Sequence, residues 1–199
     1  LIAVPSQHFQ QLIRDIIGAY SDNRQWHTAT KVTVISFTKG FSDGRLPWEI
    51  IRRELPFNPA GVVSGPMLSE EIYTKPTRAV LASDNIDFHD AIGIKCRITD
   101  IALTLSNDPI GTSLGGILKN IYALGLGLAD GYELGDNAKA CIATMALREM
   151  EQLMGYAIMS YAGVGDFLAT CYSDKSRNYT FGKQRATDSI TGTDLCEGV

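Results

Sequence analysis

Short runs of apolar and β-branched residues recur through the first half of this chain and alternate with helical patterns. A run over 32–37 ends at a Thr-Lys-Gly turn, and a short helix is predicted after it over 47–55. Further strands are predicted over 61–66, 77–82 and 101–105. Strand followed by helix followed by strand is typical of an α/β layer, so we expect a parallel sheet flanked by helices.

The first helix is predicted to follow Ser6, which is a suitable N-cap. Its apolar residues fall at the i, i+3, i+4 and i+7 spacing of one core-facing stripe, namely Phe9, Leu12, Ile13 and Ile16. The residues before Ser6 have the pattern of the end of a buried strand and include no initiator methionine. Because the chain also stops at Val199 without a clear ending, we expect it to be a fragment of a longer protein.

The second half is mainly helical. Long helices are predicted over 114–129 and 137–156, the second with an apolar stripe at Ala143, Leu147, Met150 and Met154. We therefore predict an α/β plus all-α protein, with a sheet domain over 1–106 and a helical domain over 107–199. Ligand sites commonly lie between two such domains and at the carboxyl ends of parallel strands.

The composition argues against several classes of function. Hydrophobic residues make up 45% of the chain and charged residues 20%, as in ordinary globular proteins. The longest apolar stretches are far shorter than the roughly 20 residues that span a bilayer, and a net charge of −4 argues against a nucleic-acid partner. The four cysteines form no CxxC pair and the three histidines are scattered, so we expect free thiols, a reducing intracellular setting and no metal site.

Lys119 stands beside Asn120 inside an almost wholly apolar, glycine-bearing run over 115–124. Lysine is seldom fully buried without a partner, and apolar surroundings disfavour its charged form and bring its pKa toward neutrality. Lys119 is therefore a candidate general acid/base. Two plainer interpretations stay open: its ammonium group reaches solvent along an apolar surface, and the glycines at 115, 116, 125 and 127 serve only close helix packing.

A second stretch with polar chemistry leads from Asp166 to Asn178. If Asp166 begins a helix, its carboxylate and the Thr170 hydroxyl lie on one face. Arg177 offers a planar charged fork for a phosphate or carboxylate, and Asn178 offers both a donor and an acceptor. Taken singly, Asp166 is more often an N-cap and Arg177 more often part of a surface ion pair.

Lys39 directly follows the predicted strand over 32–37, at the kind of position that borders ligand sites in parallel sheets. Lys119 lies early in the predicted helical domain. We therefore expect the two lysines to converge on one cleft, and their combination with Asp166 and Arg177 indicates a site that none of these residues indicates alone.

These motifs resemble those of the NAD(P)-dependent glycerol-3-phosphate dehydrogenases, most closely the bacterial type. The resemblance covers nearly the whole chain and rests on residues 5–6, 38–40, 64–66, 115–124, 128–131, 163–166, 176–178 and 197–198. It implies the C-terminal part of a Rossmann-like parallel-sheet domain, followed by a helical domain like the C-terminal domain of 6-phosphogluconate dehydrogenase. It also implies NAD or NADP as cofactor and hydride exchange between its reduced form, NADH or NADPH, and dihydroxyacetone phosphate, which gives sn-glycerol 3-phosphate for phospholipid synthesis.

The resemblance also implies roles for individual residues. It makes Lys119 the catalytic acid/base, with Asp166 and Lys39 as further catalytic residues. The substrate-binding residues it implies are Lys39, Gly65, Lys119, Asn120, Asp166, Thr170, Ser176, Arg177 and Asn178. The cofactor-contacting residues it implies are Pro5, Lys39, Ser69, Arg177, Leu195 and Glu197. A cytoplasmic homodimer is the corresponding expectation for location and assembly.

The chain departs from the family pattern in several places. No GxGxxG loop is present, so residues 1–106 are expected to be a partial dinucleotide-binding domain that lacks its first βαβ unit, and 107–199 a truncated helical domain. Met67 stands where Ser or Thr is usual and cannot donate a strong hydrogen bond, while Ser69 stands where Ala is usual. The segment between Asn178 and Glu197 is shorter than expected.

Two other functions stay open beside the dehydrogenase. One is a truncated, non-catalytic paralogue that acts as a phosphate-binding or assembly module. The other is a related dehydrogenase for another small anionic substrate, since an arginine accepts phosphate or carboxylate alike. The choice between NAD and NADP depends on a region after the second strand of the nucleotide-binding domain that these residues do not include.

Overall fold

The computed structural model of the chain describes residues 1–22, 32–72, 74–85, 88, 92 and 101–187. Its helices and strands in chain order are α1 Ser6–Asp22, β1 Val34–Ser36, α2 Pro47–Glu54, β2 Ala60–Ser64, β3 Thr77–Ala82, β4 Ile101–Ser106, α3 Pro109–Gly131, α4 Gly135–Met154, α5 Asp166–Cys171 and α6 Arg177–Ala186. Between α4 and α5 lie a 3₁₀ turn, Gly155–Met159, and a π-helical turn, Tyr161–Gly165.

The four strands form one sheet in the order β1-β2-β3-β4. β1 pairs with β2 and β3 pairs with β4 in parallel, whereas β2 and β3 run antiparallel, with Val63 opposite Leu81. The predicted combination of a Rossmann-like sheet with a helical part is confirmed, but the sheet is mixed rather than wholly parallel. A parallel connection needs a crossover, usually a helix, and the described residues between β2 and β3 contain only turns and extended segments.

The start of the chain extends the sheet at its β1 edge through one residue, Ile2. Ile2 pairs with Ser36 in parallel, and its amide donates to the Ile35 carbonyl at 2.8 Å while its carbonyl accepts from the Phe37 amide at 2.7 Å. Because this pairing is parallel, the residues after Ile2 lie at the carboxyl end of β1, as do the residues that follow β1 itself. The strand-like pattern at the start of the sequence thus corresponds to a short pairing with β1.

α1 and α2 cover one face of the sheet. The predicted stripe on α1 is present: Phe9 and Ile13 are fully buried and belong to the same apolar cluster as Trp48 and Ile51 of α2. Burial of side chains of this size is the main source of stability for such a layer. A second cluster, with Ile35, Val63, Ala79, Leu81 and Phe88, lies against the strands separately from the first.

α3 is the longest element and the centre of the helical part. It begins at Pro109, because the Asp108 carboxylate accepts from the Gly111 amide at 2.8 Å and proline suits the first turn of a helix. The two helices predicted over 114–129 and 137–156 are confirmed as α3 and α4, and their facing sides form a buried cluster with α5 and α6. Among the described residues, no helix combines the length and apolar character needed to cross a membrane.

α3 and α6 pack unusually closely, because glycines remove side chains where the backbones meet. A Cβ on Gly127 would lie 2.1 Å from the Tyr179 carbonyl oxygen, and a Cβ on Gly182 would lie 2.2 Å from the Leu124 carbonyl oxygen. Contacts this short do not occur, so only glycine fits at either position without a shift of the helices. This packing fixes α6, whose first residues are Arg177 and Asn178.

Candidate active site

Two glycines on α3 bring separate parts of the chain against the turn that precedes Lys119. A Cβ on Gly115 would lie 2.2 Å from the Ala162 carbonyl oxygen, and a Cβ on Gly116 would lie 2.8 Å from the Ser64 hydroxyl. The first contact brings the π-helical turn close to α3, and the second brings the end of β2 close to it. Lys119, one turn further along α3, therefore lies where the sheet, the π-helical turn and α3 meet.

Lys119 is buried, with 6% of its surface exposed. Its Nζ donates to Asp166 Oδ1 at 2.6 Å and to Thr170 Oγ1 at 2.9 Å, so the interpretation in which its ammonium group reaches solvent is wrong. Burial, reinforced by the nearby charge of Lys39, lowers the pKa of Lys119 to about 8, although the Asp166 carboxylate acts in the opposite direction. Lys119 is thus a lysine that can exchange protons near neutral pH.

Asp166 is almost completely buried at the start of α5. The N-cap interpretation is wrong, because Gly165 occupies the cap position and the Asp166 carboxylate bonds to two lysines instead. Thr170, one helical turn later, reaches the same Lys119 ammonium, so the two side chains share a face as the sequence indicates. The non-helical backbone at Gly163 (φ −92, ψ −105) marks a kink just before the turn into α5.

Lys39 follows β1 and approaches Asp166 from the sheet. Its Nζ donates to Asp166 Oδ2 at 2.9 Å and to the Gly65 carbonyl at 3.3 Å. Gly65 has a φ of +151°, and a Cβ there would lie 2.9 Å from Ala79 Cα, so only glycine fits this turn after β2. The structure thus brings Lys39 and Lys119 to the two oxygens of one carboxylate.

An open cleft of about 550 Å³, here called the lysine cleft, lies above this cluster. Nine of the residues singled out from the sequence line it: Pro5, Lys39, Ser69, Lys119, Asn120, Thr170, Ser176, Arg177 and Asn178. Gly65 and Asp166 do not line it and instead contact the lysines that do. The two remaining candidates, Leu195 and Glu197, lie outside the described residues.

The N-terminus of α6 forms one side of the lysine cleft. The Ser176 hydroxyl accepts from the Tyr179 amide at 3.3 Å and so caps the helix. Arg177 is exposed and forms no ion pair with any described residue, which contradicts the surface ion-pair interpretation within that part of the chain. Asn178 is buried beside it, with 7% of its surface exposed. A guanidinium at a helix N-terminus that faces a cleft and has no ion-pair partner among the described residues is suited to bind an anion.

Several lining residues were not predicted from the sequence, and they are Ala3, Val4, Phe37, Thr38, Leu68, Glu70 and Lys175. The first four follow from pairing of the chain start with β1, which a sequence pattern alone does not specify. Lys175 carries a detectable signal, since it is a cation two residues before Arg177. Met67 also lines the cleft, so a thioether faces it where the family pattern has a hydroxyl.

The residues that line the lysine cleft fit the nicotinamide end of a dinucleotide. Val4, Phe37 and Leu68 supply apolar surface near the carboxyl end of β1, where such cofactors bind in sheets of this type. The 199 residues contain no GxGxxG loop, so they lack the glycine-rich loop that binds the pyrophosphate in dinucleotide-binding domains. Among the described residues, no group of three or more His, Cys, Asp or Glu side chains is arranged to hold a metal ion.

Two family models match the chain. The model of the NAD-dependent glycerol-3-phosphate dehydrogenase N-terminus matches residues 1–89, and that of the C-terminus matches residues 108–197. A relative from Acinetobacter baylyi named glycerol-3-phosphate dehydrogenase, NAD(P)+, is 37% identical over 190 residues, which are 91% of this chain and 51% of the relative. One from Psychrobacter arcticus with the same name is 36% identical over 91% of this chain and 42% of the relative.

A solved structure shows the same relationship. The crystal structure of glycerol-3-phosphate dehydrogenase from Coxiella burnetii superimposes with a TM-score of 0.81 at 32% identity, over 98% of this chain and 62% of that one. The chain spans about half the length of the curated relatives it matches. Because both family models match in the expected order and a solved member shares the fold, the chain belongs to the NAD-dependent glycerol-3-phosphate dehydrogenase family.

Proposed function

We propose that the lysine cleft interconverts dihydroxyacetone phosphate and sn-glycerol 3-phosphate with NAD or NADP, and that Lys119 is the acid/base. The observation that supports this most strongly is the buried Lys119 ammonium, held at 2.6 Å by Asp166 and at 2.9 Å by Thr170 at the cleft. Relatives named for this activity and the matching family models agree with it.

The proton chemistry follows from the environment of Lys119. Reduction of a ketone places negative charge on the carbonyl oxygen, and a charged Lys119 stabilises that charge and then donates its proton. With a pKa of about 8, Lys119 is still protonated at neutral pH but releases its proton more readily than an ordinary lysine. Asp166 orients the ammonium group, and Lys39 holds the second oxygen of Asp166 so that the carboxylate keeps its position.

The phosphate of the substrate is assigned to the N-terminus of α6. Arg177 supplies a permanent charge and a fork that matches two phosphate oxygens, and Asn178 and the first helical amides supply further donors. Binding energy from this unreacting end positions the carbonyl group against Lys119. Val4, Phe37 and Leu68 would hold the nicotinamide end of a bound cofactor, which would supply the hydride, while the protein binds, orients and shields the reacting groups.

The domain assignment is also part of the proposal. Residues 1–106 form the C-terminal part of a dinucleotide-binding domain and 107–199 a helical substrate domain, in agreement with β4 ending at Ser106 and α3 beginning at Pro109.

We also propose that the protein is a cytoplasmic homodimer and that the product of its reaction enters glycerophospholipid synthesis. Cys141 and Cys171 are free thiols, which suits a reducing compartment. Sedimentation of the purified protein tests the dimer, which a monomer at micromolar concentration would contradict.

The reaction is tested on the complete product of the gene that encodes these residues. We expect oxidation of NADH or NADPH that depends on dihydroxyacetone phosphate, with a kcat/KM at least about 100-fold above that for dihydroxyacetone, which lacks the phosphate. Absence of turnover above background would contradict the proposal. Binding of glycerol 3-phosphate without turnover would favour the phosphate-binding module, and faster turnover of another anionic ketone would favour a related dehydrogenase.

A further inference from the structure

An ion pair joins two loops at the edge of the lysine cleft. Lys175 Nζ lies 2.7 Å from Glu71 Oε1 and 4.0 Å from Glu70 Oε2. Glu71 belongs to the turn residues after β2, and Lys175 belongs to the loop between α5 and α6, 104 positions later. The hydrogen bond and charge of Lys175 lower the pKa of Glu71, and those of Glu71 raise the pKa of Lys175. Both groups are therefore charged at neutral pH.

Lys175 lies close in sequence to Arg177, the residue assigned to the phosphate. It lines the lysine cleft together with Arg177, and because the two residues are two positions apart, their Cα atoms are at most about 7 Å from each other. The loop around Lys175 is held by its amide, which donates to the Ser173 hydroxyl at 3.2 Å, and by the Ser176 amide, which donates to the Ser173 carbonyl at 2.9 Å. A fixed backbone with a long side chain allows the ammonium group to change partners.

The ion pair with Glu71 is weak enough to be exchanged. The side chains of Lys175 and Glu71 are 47% and 44% exposed, and ion pairs in water contribute little net stability. A phosphate monoester carries about two negative charges at neutral pH and three acceptor oxygens, so it competes well with a single carboxylate. In the lysine cleft such an anion has Arg177 as a neighbour. Of the two carboxylates near Lys175, Glu70 lines the cleft and lies 4.0 Å from the Lys175 ammonium, whereas Glu71, the closer partner, does not line it.

We propose that Lys175 is a second phosphate-binding residue, held by Glu71 while the cleft is empty and transferred to the phosphate of the substrate when it binds. The inference deepens the proposed function and rests on it for the identity of the anion. It assigns opposite effects to the two members of the ion pair. Lys175 favours binding of the anion. Glu71 opposes that binding, because the anion must first displace Glu71 from Lys175.

The test compares variants of the complete gene product by calorimetric titration with glycerol 3-phosphate and, separately, with inorganic phosphate. We expect Lys175→Gln to raise the Kd about fivefold and Glu71→Gln to lower it about threefold, effects of the size expected for one exposed charge pair. The double variant should match Lys175→Gln, because Glu71 acts only through Lys175. Lys183→Gln is the matched control, since Lys183 is 51% exposed, pairs with Asp130 at 2.7 Å and does not line the lysine cleft.

Each outcome decides between distinct accounts. If Glu71→Gln and Lys175→Gln both weaken binding equally, or neither changes it, the ion pair is a static brace and the inference is overturned while the proposed function stands. If the expected pattern appears with inorganic phosphate but glycerol 3-phosphate does not bind, the inference holds and the proposed substrate is wrong. If the unmodified complete protein binds neither anion, both are overturned. Thermal unfolding of every variant is the control for the fold, and we expect each of these exposed substitutions to leave it intact.

Discussion

At Lys119, three influences on one ammonium group do not act in the same direction. Burial and the charge of Lys39 lower the pKa, while the charge and hydrogen bond of Asp166 raise it. Burial is the largest of these, so the pKa falls to about 8 even though the Asp166 carboxylate is only 2.6 Å away. The residue is thus balanced between a stable ion pair, which could not release a proton, and a neutral amine, which could not donate one.

The pKa of Lys119 predicts opposite pH dependences for the two directions of the reaction. Reduction of dihydroxyacetone phosphate needs the charged form, so its kcat should fall as the pH rises past about 8. Oxidation of glycerol 3-phosphate needs the neutral amine and should become faster over the same range. Steady-state rates between pH 6 and pH 10 measure both, and a break near the ordinary pKa of lysine in both directions would contradict the lowered pKa.

Replacement of Asp166 by asparagine should have two separate effects. It removes the charge that raises the pKa of Lys119, so the break in the pH profile should move below pH 8. It also leaves two lysines without their shared counter-ion in a buried position, which should lower the free energy of unfolding by about 3 kcal/mol. Urea unfolding measures the second effect.

Asp15→Asn is the matched control for Asp166→Asn, because Asp15 is exposed and accepts one hydrogen bond from Gln11. It should change the free energy of unfolding by no more than about 0.5 kcal/mol. Equal losses in the two variants would show that Asp166 does not carry the stability assigned to it here.

The sequence predicted the unusual residues better than their partners. Lys119 could be recognised because a charge inside an apolar run demands an explanation, and Asp166 because a carboxylate and a hydroxyl fall one helical turn apart. That Asp166 is shared by Lys39 and Lys119 depends on contacts across 127 and 47 positions, which no local pattern encodes. The pairing of Lys175 with Glu71 was missed for the same reason, because Glu71 lies in a distant turn.

Among the elements, α3 and α6 provide a test of the close packing that places Arg177. Gly127→Ala would put a Cβ 2.1 Å from the Tyr179 carbonyl oxygen, so the helices must move apart and the free energy of unfolding should fall by about 1–3 kcal/mol. Gly125→Ala is the control two positions away on the same helix, where no atom lies within 4 Å of the added Cβ. It should raise stability by about 0.5–1 kcal/mol, because alanine favours the helix.

Thermal or urea unfolding distinguishes the two substitutions, and equal effects would mean that α3 and α6 are further apart than described. Binding of inorganic phosphate gives a second measurement, since a displaced α6 carries Arg177 with it. We expect Gly127→Ala to weaken that binding and Gly125→Ala to leave it unchanged.

Element boundaries followed from the sequence where a local signal exists. Pro47 began α2 as predicted, the periodic apolar positions identified α1 and α4, and a long apolar run identified α3. α3 begins earlier than its apolar run, at Pro109, because the Asp108 cap rather than hydrophobic periodicity determines its start. The antiparallel pairing of β2 with β3 was not predicted, since strand direction depends on the path of the connecting residues and not on the composition of either strand.

In the molecule as a whole, the sheet and the helical part meet at the ionic cluster, so residues from one part tune the chemistry of the other. Lys39 comes from the sheet and lowers the pKa of Lys119 on α3. Lys39→Met should therefore raise the pKa of Lys119 and move the break in the pH profile above pH 8, in the opposite direction to Asp166→Asn. The same pH series checks this, and a shift to lower pH in Lys39→Met would contradict the arrangement.

The central claim is that Lys119 donates the proton, and its removal tests this most directly. In the complete gene product, Lys119→Met keeps a long apolar side chain in a buried site, while Lys183→Met removes a lysine that lies outside the lysine cleft. We predict that Lys119→Met lowers kcat for dihydroxyacetone phosphate reduction by about 10²–10⁴-fold with the fold retained by circular dichroism, and that Lys183→Met stays within about twofold of the unmodified enzyme. A folded Lys119→Met variant that retains kcat within about tenfold would contradict the claim.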